Sequence, residues 1–304
     1  MADQFDVVTG AFSFTGSYLA RRLLAGGRKV VTLTGHPDRR HALGDQVPAY
    51  PFEFEAPERM ERRMAGADTF YDTYWVRFEH GDRTYRETLE RTRILARAAR
   101  KAGVRRLVFF SSTGADPESD LAYFRAKGRA ERIVRDSGLS TVIVRPTLLF
   151  GEGNTVFNNL AWIVRHTPFF GVCGRGEYAV QPVHADDLAA TAIELARGGE
   201  DALREVGGPA TLTFRELVEC LADAVGRRVR FVEVKMERLM HMSRFLGRLR
   251  GDVLLTREEL EALARGMLVA SGPAAGQTDI RSWLQDCGRE LGRHYRSAVE
   301  RYES

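Results

Sequence analysis

Residues 5–16 constrain the fold more than any other stretch of the chain. Phe5-Asp-Val-Val-Thr9 is short and mostly apolar, as a strand covered on both faces would be. Gly10-Ala-Phe-Ser-Phe-Thr-Gly16 follows, and Ser17-Tyr-Leu-Ala-Arg-Arg-Leu-Leu24 then repeats apolar residues at helical spacing. A strand that turns through glycine straight into a helix is suited to a dinucleotide pyrophosphate, because the first turn of the helix offers backbone N–H groups to the phosphates. In this reading Gly10 makes the tight turn and Gly16 lets the helix lie close to the sheet. Ser13 stands where a further glycine is expected, and its small hydroxyl side chain is placed to reach a phosphate. Gly10, Phe12, Ser13, Phe14, Thr15 and Gly16 are therefore the expected cofactor contacts on this turn.

The choice between cofactors is usually made at the tip of the second strand, here Lys29-Val-Val-Thr-Leu-Thr34. An acid there binds ribose hydroxyls, whereas basic groups accommodate a 2′-phosphate. The tip carries no acid, and His36, Arg39 and Arg40 follow closely, so NADP(H) is favoured over NAD(H). Asp38 in the same turn keeps NAD(H) open, and the alternative is that His36 and the arginines form a solvated turn.

A second signal is Tyr123 followed by Lys127 in a chain with four lysines among 45 basic residues. Four residues apart on a helix, the two side chains share a face. An ammonium in that position stabilises a phenolate and makes tyrosine usable as an acid or base near neutral pH. Arginine would not serve the same purpose, being a flat, permanently charged fork. The plain alternative is a surface tyrosine stacked on an aliphatic stem.

From residue 5 to 145, strand-like and helix-like segments alternate: 5–9, 17–25, 29–34, 57–65, 69–75, 84–102, 107–112, 122–137 and 141–145. That rhythm implies a parallel α/β sheet with helices on both faces. Gly138 is read as a helix C-cap. After Gly151 the rhythm gives way to loops, aromatics and longer helices. We therefore expect a dinucleotide-binding domain over 1–151 and a smaller substrate domain over 152–304, with 179–188 returning to the first sheet. His184-Ala-Asp-Asp187 is read as a cap for a helix beginning near Leu188.

Together these segments resemble the short-chain dehydrogenase/reductase superfamily. The resemblance is to its atypical and extended branch, the NAD(P)-binding epimerase/dehydratase-like and NmrA-like proteins. It is carried by Thr9–Gly16, Gly66–Tyr71, Ala102–Thr113, Tyr123-Phe-Arg-Ala-Lys127, Val144-Arg-Pro-Thr-Leu-Leu-Phe-Gly151 and Gln181-Pro-Val-His-Ala-Asp-Asp-Leu188. The overall pattern also looks like the subgroup related to the accessory NADPH-binding subunit of respiratory complex I. The resemblance implies a Rossmann-type doubly wound parallel sheet with a smaller, interwoven C-terminal α/β domain. It implies Tyr123 as acid/base and Lys127 as a ligand of the nicotinamide ribose. The family's catalytic hydroxyl falls on Thr113 as the best match and Ser112 as the second. Asp72, Thr73 and Tyr74 would border the cofactor, and Pro146 and Thr147 would lie beside the nicotinamide. Three positions depart from the pattern. Ser13 replaces a glycine, only nine residues separate Thr113 from Tyr123, and Arg91 stands where many relatives carry asparagine. The short loop argues against a large nucleotide-sugar substrate.

Bulk properties narrow the partners. With 45 basic and 41 acidic residues interspersed, nucleic-acid binding is disfavoured and a small-molecule substrate is expected. Three cysteines, 173, 220 and 287, follow no metal or redox spacing, and no metal site is expected. No signal peptide or membrane span is evident, which points to the cytoplasm. Met236–Arg250 alternates Leu239, Met240, Met242, Phe245, Leu246 and Leu249 with Arg238, Arg244, Arg248 and Arg250. Such a basic amphipathic helix admits peripheral membrane contact, although covering a cleft or packing in a homo-oligomer is favoured. The stretch from Phe157 to Phe170, with Asn158, Asn159 and Trp162, reads either as an apolar substrate pocket or as core. Three functions follow from these readings. The first is an NAD(P)-dependent oxidoreductase or epimerase/dehydratase, the second a non-catalytic NADPH-binding sensor or assembly module, and the third a membrane-surface quinone or lipid-linked reductase.

Overall fold

The computed structural model describes residues 5–299, without the side chain of Leu249 from the amphipathic helix. By internal contacts the chain forms two units, Met1–Pro146 with Ala185–Val206, and Thr147–His184 with Gly207–Ser304.

The first unit is built on a seven-stranded parallel sheet. In chain order its first six strands are β1 (Phe5–Thr9), β2 (Lys29–Thr34), β3 (Ala49–Pro51), β4 (Ala67–Asp72), β5 (Arg106–Phe110) and β6 (Ser140–Pro146). Spatially the order is Ala202–Val206, β6, β5, β4, β1, β2, β3. The connections run outward in both directions from the β1–β4 pair, so the doubly wound sheet expected from the sequence is the one that forms. Helices α1 (Phe14–Ala25), α2 (Pro57–Met64), α3 (Tyr85–Lys101) and α4 (Ala122–Arg135) make the early crossovers. Val7, Leu33, Met60, Met64, Phe70, Leu95, Leu107, Phe109 and Ile143 form its main core. Every residue of β5 is buried, as a strand covered by helices on both faces requires. Arg106 is among them. Its guanidinium reaches the carbonyls of Leu195, Ala196 and Gly198, so it caps the end of the Ala185–Arg197 helix.

Several expectations shift at element ends. β4 covers 67–72 rather than 69–75, because the Thr73 N–H donates to the Thr9 hydroxyl (2.7 Å) instead of continuing the ladder. Gly138, at φ +76°, lies two residues past the true cap of α4, Asp136. The chain does return to the large sheet, but through Ala202–Val206 beside β6. Pro182–His184 instead pairs with Leu148–Phe150 in a separate parallel pair. The helix expected near Leu188 begins at Ala185. Asp186 is then inside its first turn and makes a two-pronged ion pair with Arg22 of α1, both contacts at 2.7 Å.

The second unit has a core of Phe150, Phe157, Phe170, Leu217, Leu221, Ile280 and Leu284 under short two-stranded sheets and helices. Capping boxes at Thr213/Glu216 and Thr256/Glu259 start two of those helices. Phe157 is fully buried, and the Asn158 and Asn159 side-chain amides donate to the carbonyls of His294 and Arg296. The aromatic stretch is therefore core and scaffold rather than a pocket. The glycine- and alanine-rich stretch Ala270–Gly276 is tied down: the N–H groups of Ala275 and Gly276 both donate to the Gly207 carbonyl. Among the described residues no helix is long and apolar enough to cross a membrane.

Candidate functional site

The turn after β1 is fixed by backbone geometry. Gly10 has φ +60°, a conformation that side chains resist. A Cβ on Gly16 would lie 2.1 Å from the Gly10 carbonyl oxygen, so α1 seats directly on the turn only because position 16 is glycine. Two buried hydrogen bonds brace the turn against β2: Gly10 N–H to the Leu33 carbonyl (2.8 Å) and Ala11 N–H to the Thr32 hydroxyl (2.9 Å). Thr32, which in turn donates to the Val8 carbonyl, was not foreseen from sequence; a threonine inside a strand looks like an ordinary β-former. Ser13 is the extended N-cap of α1, yet its hydroxyl makes no cap bond, and the first turn of α1 contains no acid. The N-terminus of α1 is thus electropositive and its cap hydroxyl is uncommitted. Phe12 is buried, while Phe14 and Thr15 are half-buried on the same turn.

At the tip of β2 the His36 N–H donates to the Thr34 hydroxyl and the Arg39 N–H to the His36 carbonyl. Among the described residues, Arg39 and Arg40 form no ion pair, and neither does the exposed Asp38. His41 stacks on Phe12 with ring centres 5.1 Å apart. Burial pushes the His41 imidazole below its ordinary value, and the positive charges of Arg21 and Arg39 push the same way. The basic cluster therefore includes two members that the sequence reading missed, Arg21 from α1 and His41.

From the ends of β1 and β4 across to α4, the groups are buried and heavily bonded. The Thr9 hydroxyl donates to Asp72 Oδ1 (3.2 Å), and the Thr73 hydroxyl donates to the Thr9 carbonyl (2.6 Å). Asp72 is 1% exposed and also accepts the Tyr74 N–H. Burial raises the Asp72 carboxyl to about 6, opposed by hydrogen bonds and by the charge of Lys127. Lys127, on α4, is 3% exposed, donates to the Phe110 carbonyl at 2.7 Å and lies 3.9 Å from the centre of the Trp75 ring. Burial lowers its ammonium to about 7, with Asp72 and Glu131 pulling it upward. Tyr123, one helical turn earlier and half-buried, packs edge-on against Trp75, Tyr85 and Phe124. Trp75 and Tyr85 belong to this aromatic wall, and no motif flagged them. Arg91 is spent elsewhere, on the Tyr74 hydroxyl and Glu87.

The hydroxyls after β5 divide three ways. Ser111 donates to Glu131, which also takes a two-pronged contact from Arg145, both at 2.7 Å. Thr113 is 1% exposed, and both its N–H and its hydroxyl bond the Pro146 carbonyl. Ser112 is half-buried, with its hydroxyl on the Thr113 carbonyl. Ser112, the second choice from sequence, is thus the accessible one of the two candidates. The loop from Gly114 to Leu121 is pinned to α4, through Asp116 N–H to the Phe124 carbonyl and through Gly128, where a Cβ would strike Pro117 at 2.2 Å. Thr147 begins the second unit, and its hydroxyl bonds the Gln181 carbonyl there.

Residues 10–197 match the profile of the NAD(P)H-binding family. The chain belongs to that family. Over 243 residues it is 28% identical to the mitochondrial NADH dehydrogenase (ubiquinone) 1 alpha subcomplex subunit 9 of Arabidopsis thaliana, covering 75% of this chain and 59% of that one. The chain thus spans under two thirds of that relative's length. It is 29% identical to the (4-alkanoyl-5-oxo-2,5-dihydrofuran-3-yl)methyl phosphate reductase of Streptomyces griseus, covering 76% and 77% of the two chains. Its fold is shared with the Citrobacter triphenylmethane reductase solved with NADP(H), at TM-score 0.76 and 19% identity, over 93% of this chain and 99% of that one. Reductases thus stand among the proteins this chain resembles.

Proposed function

We propose that this chain is a reductase that binds NADP(H) in preference to NAD(H) and acts on a carbonyl or hydroxyl carbon of a small molecule. One observation carries the reading. The glycine turn follows β1, Asp72 ends the neighbouring β4 with Thr73 next, and Lys127 bonds the end of β5, so all gather where the sheet's winding reverses. Open parallel sheets hold dinucleotides at that crevice. The N–H groups of α1 and the Ser13 hydroxyl would take the pyrophosphate, while Arg39, Arg40 and Arg21 would take the 2′-phosphate.

The bound nicotinamide supplies or accepts hydride. The protein's part is to hold the substrate oxygen and move its proton. In the reducing direction, the Tyr123 hydroxyl gives its proton to the carbonyl oxygen as the carbon receives hydride, leaving an alcohol and a phenolate. Ser112 donates to the same oxygen, lowering the cost of the charge that develops on it. Lys127 holds the nicotinamide ribose and offsets the phenolate charge.

Calorimetry with NADPH and NADH tests the first half: NADPH should bind at least tenfold more tightly, and equal affinities would remove the phosphate role of the arginines. Tyr123→Phe tests the second. With a carbonyl substrate found by screening, turnover should fall roughly 10²–10⁴-fold with NADPH affinity unchanged. Turnover indifferent to Tyr123 would remove its acid role, and NADPH binding with no turnover of any carbonyl screened would favour the sensor or assembly reading.

A second reading concerns location, and the surface of Met236–Arg250 favours it. Met242, Phe245 and Leu246 are 53%, 64% and 46% exposed on this helix. Arg238, Arg244 and Arg248 beside them have no ion pair among the described residues. An apolar stripe edged with unpaired cations suits an anionic bilayer surface. Co-sedimentation with phosphatidylserine vesicles should be lost in Arg244→Glu/Arg248→Glu. Absence of wild-type binding would leave the helix to another partner.

A further inference from the structure

The Lys127 ammonium is covered by a side chain that no motif identifies. The Trp75 ring lies 3.9 Å from Nζ, with Phe109 and Tyr123 edge-on to the indole and Tyr85 stacked on it. The ammonium donates a hydrogen bond to the Phe110 carbonyl, and Lys127 as a whole is 3% exposed. The indole N–H is itself buried and has no hydrogen-bond partner among the described residues. A ribose seeking Lys127 therefore meets an indole already on the ammonium, and that indole is held in a compromised position. The attraction of a desolvated cation for the ring is of the same order as the penalty for a buried donor left unbonded.

We propose that Trp75 sets the affinity for the nicotinamide half of the dinucleotide by competing with the ribose for Lys127. In the closed arrangement the indole occupies the face of the ammonium that the ribose hydroxyls need. On binding, the indole swings off that face, the ribose takes the ammonium, and the indole N–H gains an acceptor from ligand or water. The adenosine half, held at the Gly10 turn and the β2 tip, binds without this step. This inference rests on the reading of Lys127 as a ribose ligand.

The test uses two ligands and two substitutions at one position. NADPH spans both halves of the site, whereas adenosine 2′,5′-bisphosphate occupies the adenosine half alone. Trp75→Leu removes the ring from the ammonium and should tighten NADPH binding about fivefold or more, with the bisphosphate unchanged. Trp75→Phe keeps a ring on the ammonium but abolishes the unbonded N–H, so it relieves the strain of the closed form and should weaken NADPH several-fold. Opposite signs for the two variants, with thermal melts confirming that both fold, are the expected result. Weakening of NADPH by both variants would make Trp75 an ordinary contact or packing residue and overturn the proposal. So would equal changes for NADPH and the bisphosphate. Wild-type protein that binds the bisphosphate, with NADPH affinity indifferent to residue 75, would sink the competition alone. Binding of neither ligand would bring down the dinucleotide reading and this inference together.

Discussion

The two ends of the crevice are built on opposite principles. At the Gly10 turn and the β2 tip, polar groups are held ready but uncommitted: the Ser13 hydroxyl caps nothing, and Arg39 and Arg40 pair with no acid among the described residues. At the Lys127 end nearly every group is already engaged. Asp72 bonds Thr9 and Tyr74, Lys127 bonds Phe110 beneath Trp75, and Thr113 is sealed on Pro146. Uncommitted cations at an exposed tip lose little by waiting, because water solvates them. A buried ammonium or carboxylate has no such recourse and must be satisfied by protein, or shift its proton. One end is thus pre-formed for its ligand, and the other has to exchange internal partners for it.

Four changes would break or sharpen that contrast. The largest effect is expected from Gly16→Ala, whose Cβ would meet the Gly10 carbonyl at 2.1 Å. The turn must move, so both NADPH and the adenosine bisphosphate should lose measurable binding. Overpacking should also cost about 1–3 kcal/mol of stability, read by denaturant unfolding. Retained binding would mean that the pre-formed end tolerates a displaced turn. Next is Arg39→Ala/Arg40→Ala, which should weaken NADPH about tenfold by loss of charge-assisted contacts, with NADH unaffected. The wild-type preference should shrink as salt is raised, since these side chains are partly exposed and screened. Equal losses for both cofactors would place the arginines on the pyrophosphate instead. The third, Thr9→Val, attacks the closed end by removing the hydroxyl that donates to Asp72 and accepts from the Thr73 N–H. A buried donor left unbonded predicts a loss of about 1–3 kcal/mol and a lower Tm.

What could be read from sequence follows the same division. The turn was legible because backbone geometry demands glycine at positions 10 and 16, and the sheet because its strands are local apolar runs. Ala49–Pro51 and Ala202–Val206 were missed. The first has only three residues and ends in proline, and the second carries Arg204 and Glu205 in a partly exposed edge strand. The Arg22–Asp186 pair joins residues 164 apart, so locally Asp186 could only be read as a cap. Tyr123 and Lys127 were visible as a spaced pair. Their surroundings were not, because Trp75, Tyr85 and Asp72 meet Lys127 and Tyr123 through tertiary packing that no spacing rule encodes. The same limit ranked Ser112 second to Thr113, since only the fold shows that Thr113 is buried on Pro146.

The smallest expected effect, and the most direct probe of the closed end, is the proton balance between Asp72 and Lys127. Asp72 is raised to about 6 by burial, so the folded state holds its proton more tightly than the unfolded chain does at about 3.9. Its contribution to stability is complete below that unfolded value and is lost as pH rises through about 6. Lys127, lowered to about 7, acts in the other sense: the folded state releases its proton first, so stability rises with pH between about 7 and the unfolded value near 10.4. Asp72→Asn keeps an oxygen to accept from Thr9 and Tyr74 but removes the charge that pulls Lys127 upward. In selectively labelled protein, with Lys127→Met used to assign the signal, the Lys127 methylene next to Nζ should titrate near neutral pH in the parent and lower still in Asp72→Asn. The pH-dependent loss of stability through about 6 should also be weaker in the variant than in the parent. A parent lysine titrating near 10.4 would mean that water reaches the ammonium and that this end of the crevice is as open as the other.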